Sequence, residues 1–109
     1  MSAAWMPSVS PDETVELSFD FSAELGTAAI VATAPDAPVI KAKVWKRSRI
    51  DDANVANVVG SPMIRDGSVY VPVSGMKAFA TYQVGCKVTT NEVPPRIIEL
   101  VSYVPCTPA

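Results

Sequence analysis

The sequence contains no histidine. That absence removes the commonest general base, the commonest metal ligand and the side chain that ordinarily titrates near neutral pH. Histidine-based nucleophilic triads are therefore excluded. Cysteine is nearly absent, with only Cys86 and Cys106. They form no C-x-x-C pair, which excludes a zinc ribbon and a thioredoxin-like motif. A bridge between the two is left open; the plainer reading makes Cys86 a small buried apolar residue and Cys106 a thiol in the tail. The five glycines, at 26, 60, 67, 75 and 85, are too scattered for a phosphate-binding loop. Lys and Arg number nine against eleven Asp and Glu, a net charge of -2. The chain thus lacks the bulk positive charge on which nucleic-acid binding rests. No run approaches the ~20 apolar residues of a membrane helix. The opening MSAAWMPSVSPDE has neither the basic nor the apolar segment of a signal peptide. The expectation is a protein made in the cytoplasm and soluble there until it is assembled into something.

Apolar residues make up 49 % of the chain and charged residues 18 %, a balance that favours a folded core over disorder. At 109 residues the chain has the length of one domain. Such a chain buries roughly 60–70 % of the surface its unfolded form exposes, enough for a core without metal or disulfides.

The ten prolines fall mostly between apolar runs and mark loops and strand starts. No window carries a helical stripe; alternation with period two recurs instead. From Thr14 to Phe21, Val15, Leu17, Phe19 and Phe21 share one face and Glu16, Ser18 and Asp20 the other, a half-buried strand. Ser22 to Gly26 reads as a turn. Further strands are predicted over Ala28–Ala34 and over Val39–Arg47. In the latter Ile40, Ala42 and Val44 point inward and Lys41, Lys43 and Arg47 outward. Trp45 falls on the lysine face, where a cation stack on Arg or Lys is favoured over the alternative, an inter-sheet core position. Ser48 to Ser61 is a long connection whose middle is left as either a helical turn or a strand. Asp66-Gly67 between two β-prone runs signals a tight hairpin of type I′. Pro72 in the following run predicts an edge strand or a bulge. The longest strand is expected over Ala78–Thr90, with Ala80, Tyr82, Val84, Cys86 and Val88 on one face. The last is expected over Arg96–Val104, apolar on both faces, with a tail from Pro105.

The pattern predicts an all-β fold: a single immunoglobulin-like antiparallel β-sandwich of about seven strands. Residues 1–12 form an extended N-terminal arm, 13–104 the sandwich and 105–109 the tail.

Little in the chain offers chemistry. Asp51-Asp52 is the one adjacent carboxylate pair, and without a closing glutamate it reads as a solvated loop rather than a calcium site. No catalytic, metal or cofactor-binding residues are assigned. Lys41, Lys43, Lys46, Arg47 and Arg49 form the one basic concentration, read as the exposed face of a strand with the loop after it, whose charges protect an edge; a surface for an anionic partner is the second reading. Trp5, Met6 and Pro7 sit on the arm, either folded back on their own domain or docked on a neighbour, since Trp and Met are enriched at interfaces. Trp5, Met6, Pro7, Trp45, Arg47 and Tyr103 are the candidate partner-interface residues. Because the first strand begins near Thr14, deleting Met1 to Ser10 is expected to leave the sandwich folded and to abolish docking.

Four segments carry a resemblance: Glu13–Gly26 (ETVELSFDFSAELG), Val71–Gly75 (VPVSG), Ala80–Thr90 (ATYQVGCKVTT) and Arg96–Leu100 (RIIEL). In this order they resemble the small fiber–tail adaptor proteins of tailed bacteriophages, whose opening strand follows a DYSFDWSxxLG type of pattern. A VSGGxxGxxY turn and strand, a Thr-Thr and a closing Arg/Glu/Ile-rich strand come after it. The resemblance covers nearly all of the chain after the arm. Here Met76–Phe79 replaces the glycine-rich second turn, and the Asp51–Ser61 insertion is longer than the pattern. The resemblance implies a non-enzymatic structural role in the virion, at the tail or neck. Its implied partners are other phage structural proteins (tail adaptor, portal or fiber) and copies of the chain itself in a symmetric assembly. It implies no cofactor, nucleic acid or membrane partner. The alternatives are a capsid decoration protein and an adhesion or ligand-binding module presenting Trp45, Tyr70 and Tyr103.

Overall fold

Alternation in the sequence becomes alternation in space. The computed structural model describes residues 3–107; residues 1–2 of the arm and 108–109 of the tail lie outside the described residues. In chain order the elements are β1 (Ala3–Trp5), β2 (Val15–Asp20), a single helical turn α1 (Ser22–Leu25) and β3 (Val39–Val44). A 3-10 turn at Val55–Asn57 precedes β4 (Met63–Arg65), β5 (Ser68–Val73), β6 (Thr81–Thr89) and β7 (Ile97–Pro105).

The fold is all-β. One sheet has the order β1-β7-β6-β3 and the other β2-β5-β4. All pairings are antiparallel except that of β1 on β7. Six strands therefore form the body, three in each sheet, and the arm supplies a seventh. The inward rows of the two sheets meet in one core. Leu17 and Phe19 of β2 and Val69, Val71 and Val73 of β5 pack with Tyr82, Val84, Cys86 and Val88 of β6 and with Leu100 and Val104 of β7. Each fully buried aliphatic or aromatic side chain contributes about 1.5–3 kcal/mol, so this one layer holds the body together.

The β4–β5 hairpin turns on Asp66 and Gly67, with φ of 50° and 82°, the two left-handed residues that a type I′ turn requires.

Several expectations are corrected. The predicted strand Ala28–Ala34 shrinks to one antiparallel bridge, Ile30 to Thr90, flanked by the Val31 N–H on the Thr89 carbonyl. β3 already occupies that edge of β6 as far as Lys87, so only the strand's end is free to pair. The strand predicted to reach Arg47 stops at Val44, and β5 is not an edge strand but the centre of its sheet. Pro72 is tolerated there because the β4 ladder has already ended: Met63 to Arg65 pair only with Ser68 to Tyr70, and beyond them that edge of β5 carries a single bridge, Val59 to Val73. The Pro72 carbonyl accepts instead from Gly60 N–H at 2.8 Å. A residue's N–H and carbonyl point to the same side of a strand, so the N–H that proline lacks would face Gly60, not the β2 ladder.

The tail is corrected too. β7 runs on to Pro105, and Cys106 is buried in the core, bridged in parallel to Val9. The arm is thus laid along its own domain. Met6 N–H donates to the Tyr103 carbonyl (2.8 Å), Val9 N–H to Pro105 (3.0 Å), and Thr107 N–H to Val9 (2.9 Å). Val9 is a core residue, so removing the arm removes part of the core.

Candidate functional site

Cross-strand register places three aromatic rings on the outer face of the four-stranded sheet. Ser102 and Val104 point into the core, so Tyr103 between them points out. Trp5 is the register partner of Tyr103 and stands on the same face. Its ring stacks on Tyr103 with centroids 4.8 Å apart and planes at 19°. Trp45, just past the end of β3, meets Trp5 edge to face at 4.9 Å and Tyr103 at 5.7 Å. Offset stacks and edge contacts of this kind add about 0.5–1.5 kcal/mol beyond area burial. Trp5 nonetheless remains 54 % exposed.

Of the six candidate interface residues, the structure brings together Trp5, Trp45 and Tyr103, from three distant parts of the chain. Met6 is half-buried and packs against the core, Pro7 is exposed beside it, and Arg47 is exposed. Among the described residues Arg47 makes no ion pair and no side-chain hydrogen bond. The expected cation stack on Trp45 is replaced by the two aromatic contacts. The cations found over rings are Arg49 on Phe79, at 5.1 Å, and Arg65 on Tyr70, at 5.5 Å. Phe79 holds a left-handed φ of 69° and is 44 % exposed, a costly conformation for a bulky residue.

Beside the rings lies a feature that reading along the chain did not single out. Gly85 on β6 pairs with Lys41 on one side and Val101 on the other. With no side chain at 85, a groove of about 340 Å³ opens on the outer face, walled by Lys41, Lys43, Gln83, Glu99 and Val101. A second groove of about 260 Å³ shares Lys43 and Gln83 and continues to Trp45, Lys46 and Tyr103. The signal available in the sequence was Gly85 itself, a lone glycine inside an alternating strand.

Asp52 is also corrected. It is buried, not a solvated loop residue. Its Oδ2 accepts from Tyr82 Oη at 2.6 Å and its Oδ1 from Asn54 N–H at 2.9 Å. Tyr82 Oη in turn accepts from Lys77 N–H at 2.6 Å. Burial, and then the bond to Asp52, raise the Tyr82 hydroxyl above the usual tyrosine range. Among the described residues no buried side-chain polar atom is left without a partner, so this network fixes loops to the core.

The cysteines are free and both buried. Burial, followed by the nearby Glu99 carboxylate, pushes the Cys86 thiol up to about 12, and burial raises Cys106 as well. Neither is an activated thiolate. Among the described residues no group of three or more Cys, Asp or Glu is placed to hold a metal ion. No helix in the described residues is long and apolar enough to cross a membrane. At the opposite end of the sheets, Arg96 pairs with Glu92 at 2.6 Å and donates to the Glu24 carbonyl. The arginine holds the Glu92 carboxyl below its ordinary range.

No protein-family model matches the chain, and no curated protein matches it.

Proposed function

We propose that this chain is a non-enzymatic structural protein of a tailed-bacteriophage particle. It docks at the tail or neck, as a fiber or fiber–tail adaptor, through protein–protein contacts. The body is read as immunoglobulin-like, a reading supported by Tyr82. Its hydroxyl bonds the backbone of Lys77, five residues upstream, in the manner of the tyrosine corner of such domains. The observation that carries the docking role is the Trp5–Tyr103–Trp45 cluster. Three large rings converge on a sheet face that the protein's own core does not use, and Trp and Tyr anchors of this sort dominate binding at interfaces. Many weak copies held in a symmetric assembly reach high avidity without a deep pocket.

The test is the copy number of the chain in purified virions, by quantitative mass spectrometry against the portal protein. A number comparable with the portal ring supports the adaptor role. Hundreds of copies make the chain a capsid decoration protein, and absence from the particle overturns the structural reading.

A further inference from the structure

Gly85 is not required by the fold. Its φ lies outside the left-handed region, and a Cβ built there meets only Glu99 Oε2 at 3.5 Å and more distant atoms, ordinary van der Waals contact. Gly60 is the contrast: a Cβ there would stand 2.7 Å from the Pro72 ring. Glycine inside a strand weakens it and often marks a bulge, a bend or the close approach of a ligand or another backbone; β6 keeps unbroken register with β3 and β7 on both sides of Gly85, which removes the bulge.

We infer that the trough over Gly85 receives an extended acidic polypeptide segment of the docking partner, laid along β6 between the lysine row of β3 and the Glu99–Val101 row of β7. Three observations choose this occupant. The first is width. The rows on β3 and β7 flank β6 and stand roughly 10 Å apart, which admits one extended chain and not a nucleic-acid duplex. The second is charge. Lys41 and Lys43 lie two residues apart on one strand face, about 6.8 Å, the spacing at which alternate residues of an extended chain present their carboxylates. Lys46 continues the wall in the adjoining groove, and Glu99 is the one acidic group lining the trough. The third concerns the rings. Trp5 covers one face of Tyr103 and Trp45 packs edge-on against both, so the rings offer a partner an irregular anchor and not the flat, side-by-side platform a sugar needs.

The inference rests on the reading of this face as a docking surface and specifies the chemistry of what docks there. The test is a nuclear magnetic resonance titration of the full chain with a blocked octapeptide of alternating glutamate and valine. The expected result is shifts confined to Lys41, Lys43, Gln83, Gly85 and Val101, with binding about tenfold or more weaker once salt shortens the screening length. Binding is expected to be lost in Gly85→Val, which fills the trough and retains or raises the melting temperature. It is also expected to be lost in the double variant Lys41→Glu/Lys43→Glu, which leaves the trough's floor intact. Undiminished binding by Gly85→Val reduces the effect to surface charge and overturns the inference, as does an absence of shifts. Tighter binding of an oligogalacturonate of equal charge overturns it in favour of a glycan site. A chain present in virions that ignores the peptide refutes the acidic segment and leaves the structural role standing. A chain that binds the peptide but is missing from virions does the reverse.

Discussion

The Tyr82 hydroxyl donates to the buried Asp52 carboxylate at 2.6 Å, joining the start of β6 to a loop thirty residues earlier. The same oxygen accepts from Lys77 N–H, so a single atom ties two loops to the core. Removing it leaves Asp52 Oδ2 and the Lys77 amide without their partner. Tyr82→Phe is therefore expected to cost about 1–3 kcal/mol in chemical denaturation. A double-mutant cycle with Asp52→Asn is expected to give a coupling of at least about 0.5 kcal/mol, the level that marks residues in one network.

The buried thiols predict both reactivity and pH dependence. Cys86 is held protonated by burial up to about 12, whereas an unfolded thiol ionises near ~8.5. The folded value is raised, so the stability that Cys86 contributes is present in full below ~8.5 and is lost as pH climbs from there toward 12. Tyr82, also raised, adds a second loss that begins above ~10. Denaturation midpoints measured from pH 7 to 11 are expected to hold and then fall, and Cys86→Ala delays the onset. At pH 8 a thiol reagent is expected to label native protein far more slowly than unfolded protein. Rapid labelling of Cys86 in the native state contradicts the burial seen here.

The two strand-associated glycines are expected to respond in opposite directions. Gly60→Ala drives a methyl into the rigid Pro72 ring and is expected to destabilise by about 1–3 kcal/mol. Gly85→Ala meets only ordinary contacts and is expected to be neutral or to stabilise by up to about 1 kcal/mol. Thermal melts of the pair decide it.

The arm separates stability from docking. Deleting residues 1–10 removes Val9 from the core, a loss of about 1.5–3 kcal/mol, and uncovers the edge of β7. Trp5→Ala keeps the backbone pairing of β1. It is expected to cost about 1–3 kcal/mol, the worth of its two ring contacts at about 0.5–1.5 kcal/mol each, while reducing incorporation into particles. Normal incorporation of the Trp5→Ala variant rules out the aromatic cluster as the docking anchor.

Where one face of a strand is buried and the other wet, the chain spelled out its own structure. Leu17 and Phe19, and the Tyr82-Val84-Cys86-Val88 row, point inward as alternation requires. Asp66-Gly67 was readable because only certain residues tolerate consecutive positive φ. What stayed hidden depended on partners distant in sequence. Ala28–Ala34 alternates like a strand, yet the edge it needs is taken by β3. Pro72 looks like an edge residue, and nothing local reveals that β4 stops short of it. Asp52 looks like a solvated loop acid until Tyr82 arrives from thirty positions away. The convergence of Trp5, Trp45 and Tyr103 is likewise a product of register between segments and not of any one segment.

The parallel pairing of β1 with β7 has a mechanical consequence. Tension applied between the beginning and the end of the chain pulls β1 toward its N-terminus and β7 toward its C-terminus. The two strands run the same way side by side, so the pull slides them past one another. The bonds Met6 to Tyr103, Val9 to Pro105 and Thr107 to Val9 lie across that direction and are stretched together, not peeled one at a time. An end-to-end force thus meets the sheet in shear, its most resistant geometry, and the short arm acts as a clasp for a molecule under tension.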